Sequence, residues 1–150
     1  MKTRLLTAAL AVTFAFSACQ PNAAGGGNTA GGSVAVSKDD ALVYAADGDL
    51  DKVFVYDTKQ QQVVSAISVG RQPEKVLVAP DGTLFVTNRL GRSVSVIHQG
   101  DTTEAAKLKT AVEPVGLALT EDGKTLYVVN AASLQDTDFG TVMAFDTNTL

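Results

Sequence analysis

The chain has 150 residues, a formal net charge of −4, 45% hydrophobic residues, one cysteine and one histidine. This length suits one modest domain, and the ordinary apolar content excludes a disordered or fibrous chain. One cysteine forms no intramolecular disulfide, and one cysteine with one histidine cannot complete a four-ligand zinc site. Any chemistry must therefore use Asp, Glu, Lys, Arg, Ser and Thr side chains.

Residues 1–18 have the pattern of a secretory signal peptide. Lys2 and Arg4 form a basic start, and the apolar run that continues to Phe16 is too short to anchor stably in a bilayer. The letters FSAC, ending at Cys19, resemble a bacterial lipobox in which Phe16 replaces the usual aliphatic residue. We predict that Cys19 is lipidated and becomes the mature N-terminus. The alternative is ordinary cleavage, which leaves a free thiol.

Residues 19–33 are predicted to be the lipidated cysteine and a flexible glycine-rich tether. The letters GGGNTA fit a dinucleotide-binding fingerprint, but no strand precedes them, so the composition indicates a linker. Gln20 follows the cysteine, where Asp would indicate retention at the inner membrane. We therefore expect a lipid anchor in the outer membrane of a bacterial cell envelope. Without the signal peptide the net charge is −6, which argues against nucleic acid as a partner and limits membrane contact to the lipid.

Residues 34–150 contain a repeat of about 41 residues, marked by Asp40, Asp81 and Asp122. Each unit has short runs of β-branched or alternating residues separated by turn residues, and no stretch has a helical period. In the second unit these runs are residues 75–79, 83–88, 93–97 and 105–109. Four strands repeated every forty-odd residues predict an all-β fold, a β-propeller of four-stranded blades.

The runs LFVTN, LYVVN and LVYAAD resemble the YVTN repeat of bacterial propeller proteins. Residues 70–73, 80–82 and 94–97 fill the G-x-x-P, P-D-G and V-x-V-I positions of that repeat. The resemblance covers residues 34–150 and implies a propeller, seven-bladed in its relatives, in a surface, periplasmic or lipoprotein context. Relatives with sugar-lactonase activity exist.

The repeat count predicts an incomplete ring. Propellers close with four to eight blades, whereas residues 34–150 hold just under three units. We therefore expect this chain to be the N-terminal part of a longer propeller. Its unclosed faces should favour self-association or marginal stability.

Asp47, Asp49 and Asp51 have the D-x-D-x-D spacing that begins a calcium loop. Such a loop also needs glycine at its sixth position and glutamate at its twelfth, where this chain has Lys52 and Thr58. We therefore predict no metal site and assign the aspartates to a turn between two strands.

The remaining conspicuous residues are predicted to be structural. His98 occupies the position of Asp57 at the end of a strand, and no nucleophile or carboxylate converges on it in the sequence. Aromatic residues recur once per unit and should pack between blades: Tyr44, Phe85 and Tyr127. The repeated aspartates 40, 81 and 122 should cap turns by accepting backbone N–H groups.

Two classes of function fit the sequence. The first is a lipid-anchored binding or scaffold module for a protein or small ligand. The second is part of a propeller enzyme or redox protein, lactonase-like or fused to a c-type haem domain. The sequence has no C-x-x-C-H, G-x-S-x-G or H-E-x-x-H motif, so we predict no catalytic residue and no cofactor in this chain.

If the chain is a binding module, its loops should carry the site. Loops that join the second and third strands of a blade should lie on the same side as the links between blades. Because these loops differ between units on a repeated scaffold, they are the expected binding face. The candidate residues are Arg71, Gln72, Asn88, Arg89, Arg92, Asp136 and Asp138.

Overall fold

The computed structural model describes residues 31–132 and 140–150. The described residues form strands separated by short turns, and they include no helix long and apolar enough to cross a membrane. Cys19, Asp136 and Asp138 lie outside the described residues. The strands are β1 (Val34–Val36), β2 (Leu42–Asp47), β3 (Lys52–Asp57), β4 (Gln62–Ser68), β5 (Pro73–Val78), β6 (Leu84–Asn88), β7 (Ser93–Ile97), β8 (Ala106–Lys109), β9 (Val112–Leu119), β10 (Thr125–Ala132) and β11 (Thr141–Asp146).

The strands form three antiparallel sheets in chain order, which we call blades 1, 2 and 3. Blade 1 has the order β1-β2-β3-β4, blade 2 has β5-β6-β7-β8, and the described part of blade 3 has β9-β10-β11. The first strands of successive blades contact one another, so they form the inner edge of the array. This is the predicted β-propeller architecture, and the three sheets form an open array rather than a closed ring.

Each blade packs face to face on the next. We call the face that bears Tyr44, Phe85 or Tyr127 the front of its blade, and the opposite face the back. The front of blade 1 packs on the back of blade 2, and the front of blade 2 on the back of blade 3, in two separate cores. The first core includes Tyr44, Val53, Val55, Val76, Leu84 and Ile97; the second includes Phe85, Val94, Val96, Leu117, Leu126 and Val128.

The predicted inter-blade packing of the aromatic residues is confirmed for two of the three. Tyr44 is 6% exposed and Phe85 is 1% exposed, because the next blade covers each of them. Tyr127 is 42% exposed on the front of blade 3. Among the described residues, a neighbouring sheet therefore covers the first two, and such burial stabilises a large side chain by about 1.5 to 3 kcal/mol.

The end of the predicted tether is part of the folded structure. Gly31 N–H donates to the Leu117 carbonyl at 2.9 Å. Gly32 N–H donates to the Val76 carbonyl at 3.2 Å, and Val76 N–H donates back to Gly32 at 2.6 Å. Leu117 and Val76 belong to the first strands of blades 3 and 2. Gly31 and Gly32, which the sequence assigns to the tether, therefore pair with the inner edges of two blades.

In the tight turn before the second strand of each blade, the predicted aspartate accepts a backbone N–H in two blades but not in blade 1. Asp81 and Asp122 accept backbone N–H groups at 2.9 and 3.1 Å, as predicted. In blade 1 the residue with this role is Asp39, which accepts the Ala41 N–H at 3.2 Å, and not Asp40. Asp40 has a φ of 57° and occupies the position of Gly82, whose φ is 86°. The shift arises because the blade 1 turn contains one residue more than the blade 2 turn.

Candidate binding face

The hairpins between second and third strands lie beside the links between blades, on one side of the array. In blade 2 the hairpin is bonded directly to the preceding link: Arg89 N–H donates to the Gln72 carbonyl at 2.8 Å. Gly91 N–H donates to the Arg71 carbonyl at 3.1 Å. In blade 1 the Asp51 carboxylate accepts the Gln72 N–H at 2.7 Å. The structure thus brings together residues 47–51, 70–72, 88–92 and 113, which we call the hairpin face.

The backbone of the hairpin face repeats although its side chains do not. Asp51 and Arg92 occupy one position in successive hairpins and have φ values of 54° and 50°. Gln72 and Glu113 occupy one position in successive links and have φ values of 53° and 55°. Left-handed conformations in non-glycine residues cost free energy, so the surrounding hydrogen bonds must maintain them. The scaffold therefore presents different side chains from a fixed backbone shape.

The three aspartates of the first hairpin have separate roles. Asp47 Oδ1 accepts the N–H groups of Asp49 and Leu50, both at 3.0 Å, and so closes its own hairpin. The Asp51 carboxylate accepts the Gln72 N–H. Asp49 is exposed. Among residues 31–132 and 140–150, no three Asp, Glu, His or Cys side chains lie close enough together to hold a metal ion.

Asn88 was a predicted binding residue, and the structure makes it a structural one. Its side chain is completely buried, and its Nδ2 donates to the Ser93 and Ser95 hydroxyls at 3.0 and 2.8 Å. Glycine is required beside it, because a Cβ on Gly70 would lie 2.6 Å from Asn88 Cγ. A Cβ on Gly91 would lie 2.9 Å from Asn88 Cβ. Asn88 therefore joins β6 to β7 beneath the surface and is inaccessible to a ligand.

Arg89 is paired within the protein. Its Nη2 and Nε donate to Glu113 Oε2 at 2.9 and 3.2 Å, and Glu74 Oε2 lies 4.0 Å from Nε. The hydrogen bond and charge of Glu113 raise the pKa of Arg89. These two charge-assisted hydrogen bonds to one carboxylate oxygen join the blade 2 hairpin to the link before blade 3. The contact orients Arg89 along the surface and neutralises its charge.

Arg71 and Arg92 are the two exposed arginines of the hairpin face without an ion pair among the described residues. Their backbones are adjacent, since Arg71 accepts the N–H of Gly91, the residue before Arg92. Gln72 is half-buried between the two hairpins, and its backbone makes the contacts described above. Guanidinium groups bind carboxylate and phosphate oxygens, so both side chains are candidates for an anion site.

A cavity of about 160 Å³ lies between blades 1 and 2 on the opposite side, and the sequence did not predict it. Tyr44, Val55 and Ile97 line it, with His98 and Gln99 also in its wall. Burial raises the pKa of the Tyr44 hydroxyl, and the charge of Asp39 raises it further. His98 is exposed and directly follows the last residue of β7.

No protein-family model matches the sequence, and no curated protein matches it. Several solved structures are similar in fold, and three of them illustrate the range. Hydrazine synthase from Kuenenia stuttgartiensis is 25% identical with a TM-score of 0.71, over 77% of this chain and 34% of that one. A candidate 6-phosphogluconolactonase from Bacteroides uniformis is 17% identical with a TM-score of 0.60, over 76% of this chain and 39% of that one. A luciferin-regenerating enzyme is 19% identical with a TM-score of 0.58, over 76% of this chain and 44% of that one.

The described part of the chain is thus a set of β-propeller blades. The chain spans between about a third and under half of the length of these similar proteins. At 19% and 17% identity the similarity shows a shared fold alone. Function depends on sites built on the fold, so it does not follow from this similarity.

Proposed function

We propose that this chain is a propeller of the YVTN type, held at the bacterial outer membrane by lipid on Cys19. Its hairpin face binds an anionic group of a small ligand or partner protein. The observation that supports this role is the pair of exposed, unpaired arginines, Arg71 and Arg92, on hydrogen-bonded segments. The third arginine of the face, Arg89, is paired with Glu113, which leaves Arg71 and Arg92 as the arginines of this face without an ion pair among the described residues.

The arrangement favours arginine chemistry for two reasons. A guanidinium binds carboxylate and phosphate through two parallel N–H donors, and it stays charged at any physiological pH. The repeated left-handed positions in the hairpins and links also hold the backbone in one shape. A ligand would then meet two arginines on a backbone of fixed shape and would not have to order a mobile loop.

Binding of pyrophosphate, measured by titration calorimetry, tests the role of the face. We expect Arg71→Gln together with Arg92→Gln to weaken binding at least tenfold, since a hydrogen bond to a charged group contributes about 1.5 to 3 kcal/mol. Lys59→Gln with Lys124→Gln makes the same change of charge at exposed positions away from the hairpin face and should leave the affinity within about twofold. Equal losses in both variants would mean that net charge, and not this face, determines binding.

The lipid anchor has its own test. Lipid addition provides the acyl chains that stable membrane attachment requires. Cys19→Ser should lose labelling by a fatty-acid analogue and leave the membrane fraction. If the variant and the wild type fractionate alike, the anchor is not on this cysteine.

The second candidate is an enzymatic role, supported by the fold similarity to hydrazine synthase and to the lactonase-like protein. Those proteins are longer than this chain, which covers 34% and 39% of their length. Hydrolysis of a sugar lactone by the purified chain, in excess of the spontaneous rate, would support this role. Activity that Arg71→Gln leaves unchanged would separate it from anion binding at the hairpin face.

A further inference from the structure

The cavity between blades 1 and 2 has a volume of about 160 Å³. Side chains in a folded core interdigitate and leave few voids larger than a water molecule. An apolar protein cavity of about 150 Å³ is large enough to hold a benzene molecule. The exposed segment 98–102 also lines the cavity, so the cavity reaches the surface there. The buried part of its wall is mainly apolar and includes Tyr44, Val55, Ile67, Leu84 and Ile97.

Tyr44 places a polar group in this apolar wall. Its side chain is 6% exposed, and its hydroxyl makes no hydrogen bond with any residue of 31–132 or 140–150. Buried hydroxyl groups in proteins normally have a hydrogen-bond partner, because an unpaired one loses its hydration without compensation. Burial and the charge of Asp39 raise the pKa of the hydroxyl, so it stays protonated at physiological pH and can donate a hydrogen bond.

The interface between blades 2 and 3 has different residues at two of the cavity-lining positions. Phe85 holds the position of Tyr44 and is 1% exposed, so the packing of one blade on the next does not require a hydroxyl there. Phe145 holds, by the register of the strands, the position of Ile97. The first interface therefore has a smaller side chain than the second at one position and an additional hydroxyl at the other.

We propose that this cavity binds a small uncharged ligand, a benzene-sized ring that carries a hydroxyl or carbonyl oxygen. The ring lies among the apolar side chains, and its oxygen accepts a hydrogen bond from the Tyr44 hydroxyl. The described lining includes the Asp101 carboxylate and no Lys or Arg, and the charge of Asp39 acts on Tyr44 as well. A charged ring would lose its hydration in the apolar wall, and a negative one would also be repelled by these carboxylates. The cavity thus selects a class of ligand different from the anions proposed for the hairpin face.

Phenol and benzene are the probes, because they differ only by the hydroxyl group. Titration of the purified chain, followed in two-dimensional amide NMR spectra, should shift the signals of residues 97–102 saturably with both probes, and benzoate should leave them unmoved. Tyr44→Phe should weaken phenol binding about two- to tenfold, since it removes one neutral hydrogen bond, and should leave the affinity for benzene within about twofold. Tyr127→Phe is the matched control: it removes a hydroxyl outside the cavity, from a residue that is 42% exposed, and should change neither affinity.

Ile97→Phe tests the volume of the cavity, because it introduces the side chain that blade 3 has at the equivalent position. This variant should keep the circular dichroism spectrum of the wild type and lose the saturable shifts with both probes. If it does not fold, the comparison of phenol with benzene in Tyr44→Phe still decides. The proposal is overturned if the wild type shows no saturable shift at residues 97–102, or if Tyr44→Phe binds phenol as tightly as the wild type. Binding of both probes to a folded Ile97→Phe variant at wild-type affinity would also overturn it.

Discussion

Phe85 and Tyr127 occupy one position in successive blades, and replacing each by alanine should have very different effects. Phe85 is 1% exposed in the core between blades 2 and 3, whereas Tyr127 is 42% exposed. Truncation of a buried phenylalanine costs about 3 to 5 kcal/mol, since it removes apolar contacts and leaves a cavity. For a domain of this size, stable by about 5 to 15 kcal/mol, Phe85→Ala removes a large part of the free energy of unfolding.

For Tyr127→Ala we expect a loss below about 1.5 kcal/mol, because part of its side chain is already in contact with water. Urea unfolding followed by circular dichroism, at concentrations where the chain is monomeric, measures both values. Equal losses for the two variants at low concentration would refute the assignment of Phe85 to a core between blades.

Three further predictions concern the turns and the buried asparagine. Gly70→Ala should lower the free energy of unfolding by about 1 to 3 kcal/mol, since the new Cβ would overlap the side chain of Asn88; Gly116→Ala, where a Cβ has room, is its control in the same urea titration. Asp40→Val should cost about 1 to 3 kcal/mol at its left-handed backbone while Asp40→Gly stays near wild type, and equal losses would contradict that conformation. The pKa of Asp122 lies below its ordinary value of 3.8, because the Thr120 hydroxyl donates to its carboxylate. That contribution is present above the unfolded pKa and is lost as pH falls through the folded pKa, so thermal midpoints of Asp122→Asn should fall less on acidification than those of the wild type.

The blades can be predicted from the sequence because the strands of every blade must meet the same requirements for burial and turn geometry. In blade 2, runs of β-branched residues at 75–79 and 93–97 correspond to strands Pro73–Val78 and Ser93–Ile97. Alternating burial and tight turns impose similar residues in every unit, so comparison within one chain is sufficient to recognise them. The same comparison places the hairpins and links on one side, since strand order alone determines that.

The roles of individual polar residues are less predictable from the repeat. Asp47 and Asn88 share one position, yet the first closes a surface hairpin and the second is buried between β6 and β7. What distinguishes them is the neighbouring serines, Ser93 and Ser95, which lie across the strand pair. The 41-residue spacing aligns Asp40 with Asp81, but the structurally equivalent residue is Asp39, because the blade 1 turn contains one residue more. A comparison at a fixed repeat length does not detect an extra residue within one turn.

The charge pattern of the hairpin face leads to one further prediction. The hairpin of blade 1 is acidic, and it lies against the link that carries Arg71: a Cβ on Gly48 would be 3.3 Å from the Pro73 carbonyl oxygen. Asp47 and Asp51 are needed for backbone contacts, whereas Asp49 is exposed and makes no such contact with its carboxylate among the described residues. Its charge therefore opposes an anion at Arg71 without supporting the fold.

Asp49→Asn should strengthen pyrophosphate binding by about 1.4- to 5-fold at low salt, because an exposed charge interaction contributes about 0.2 to 1 kcal/mol. The gain should fall as ionic strength rises, since the Debye length shortens to about 8 Å at physiological salt. Titration calorimetry at two salt concentrations measures both effects. Asp101→Asn, at an exposed position on the opposite side, is the matched control and should change little. If Asp101→Asn strengthens binding as much as Asp49→Asn, the anion responds to the net charge of the protein and not to the local field of the hairpin face.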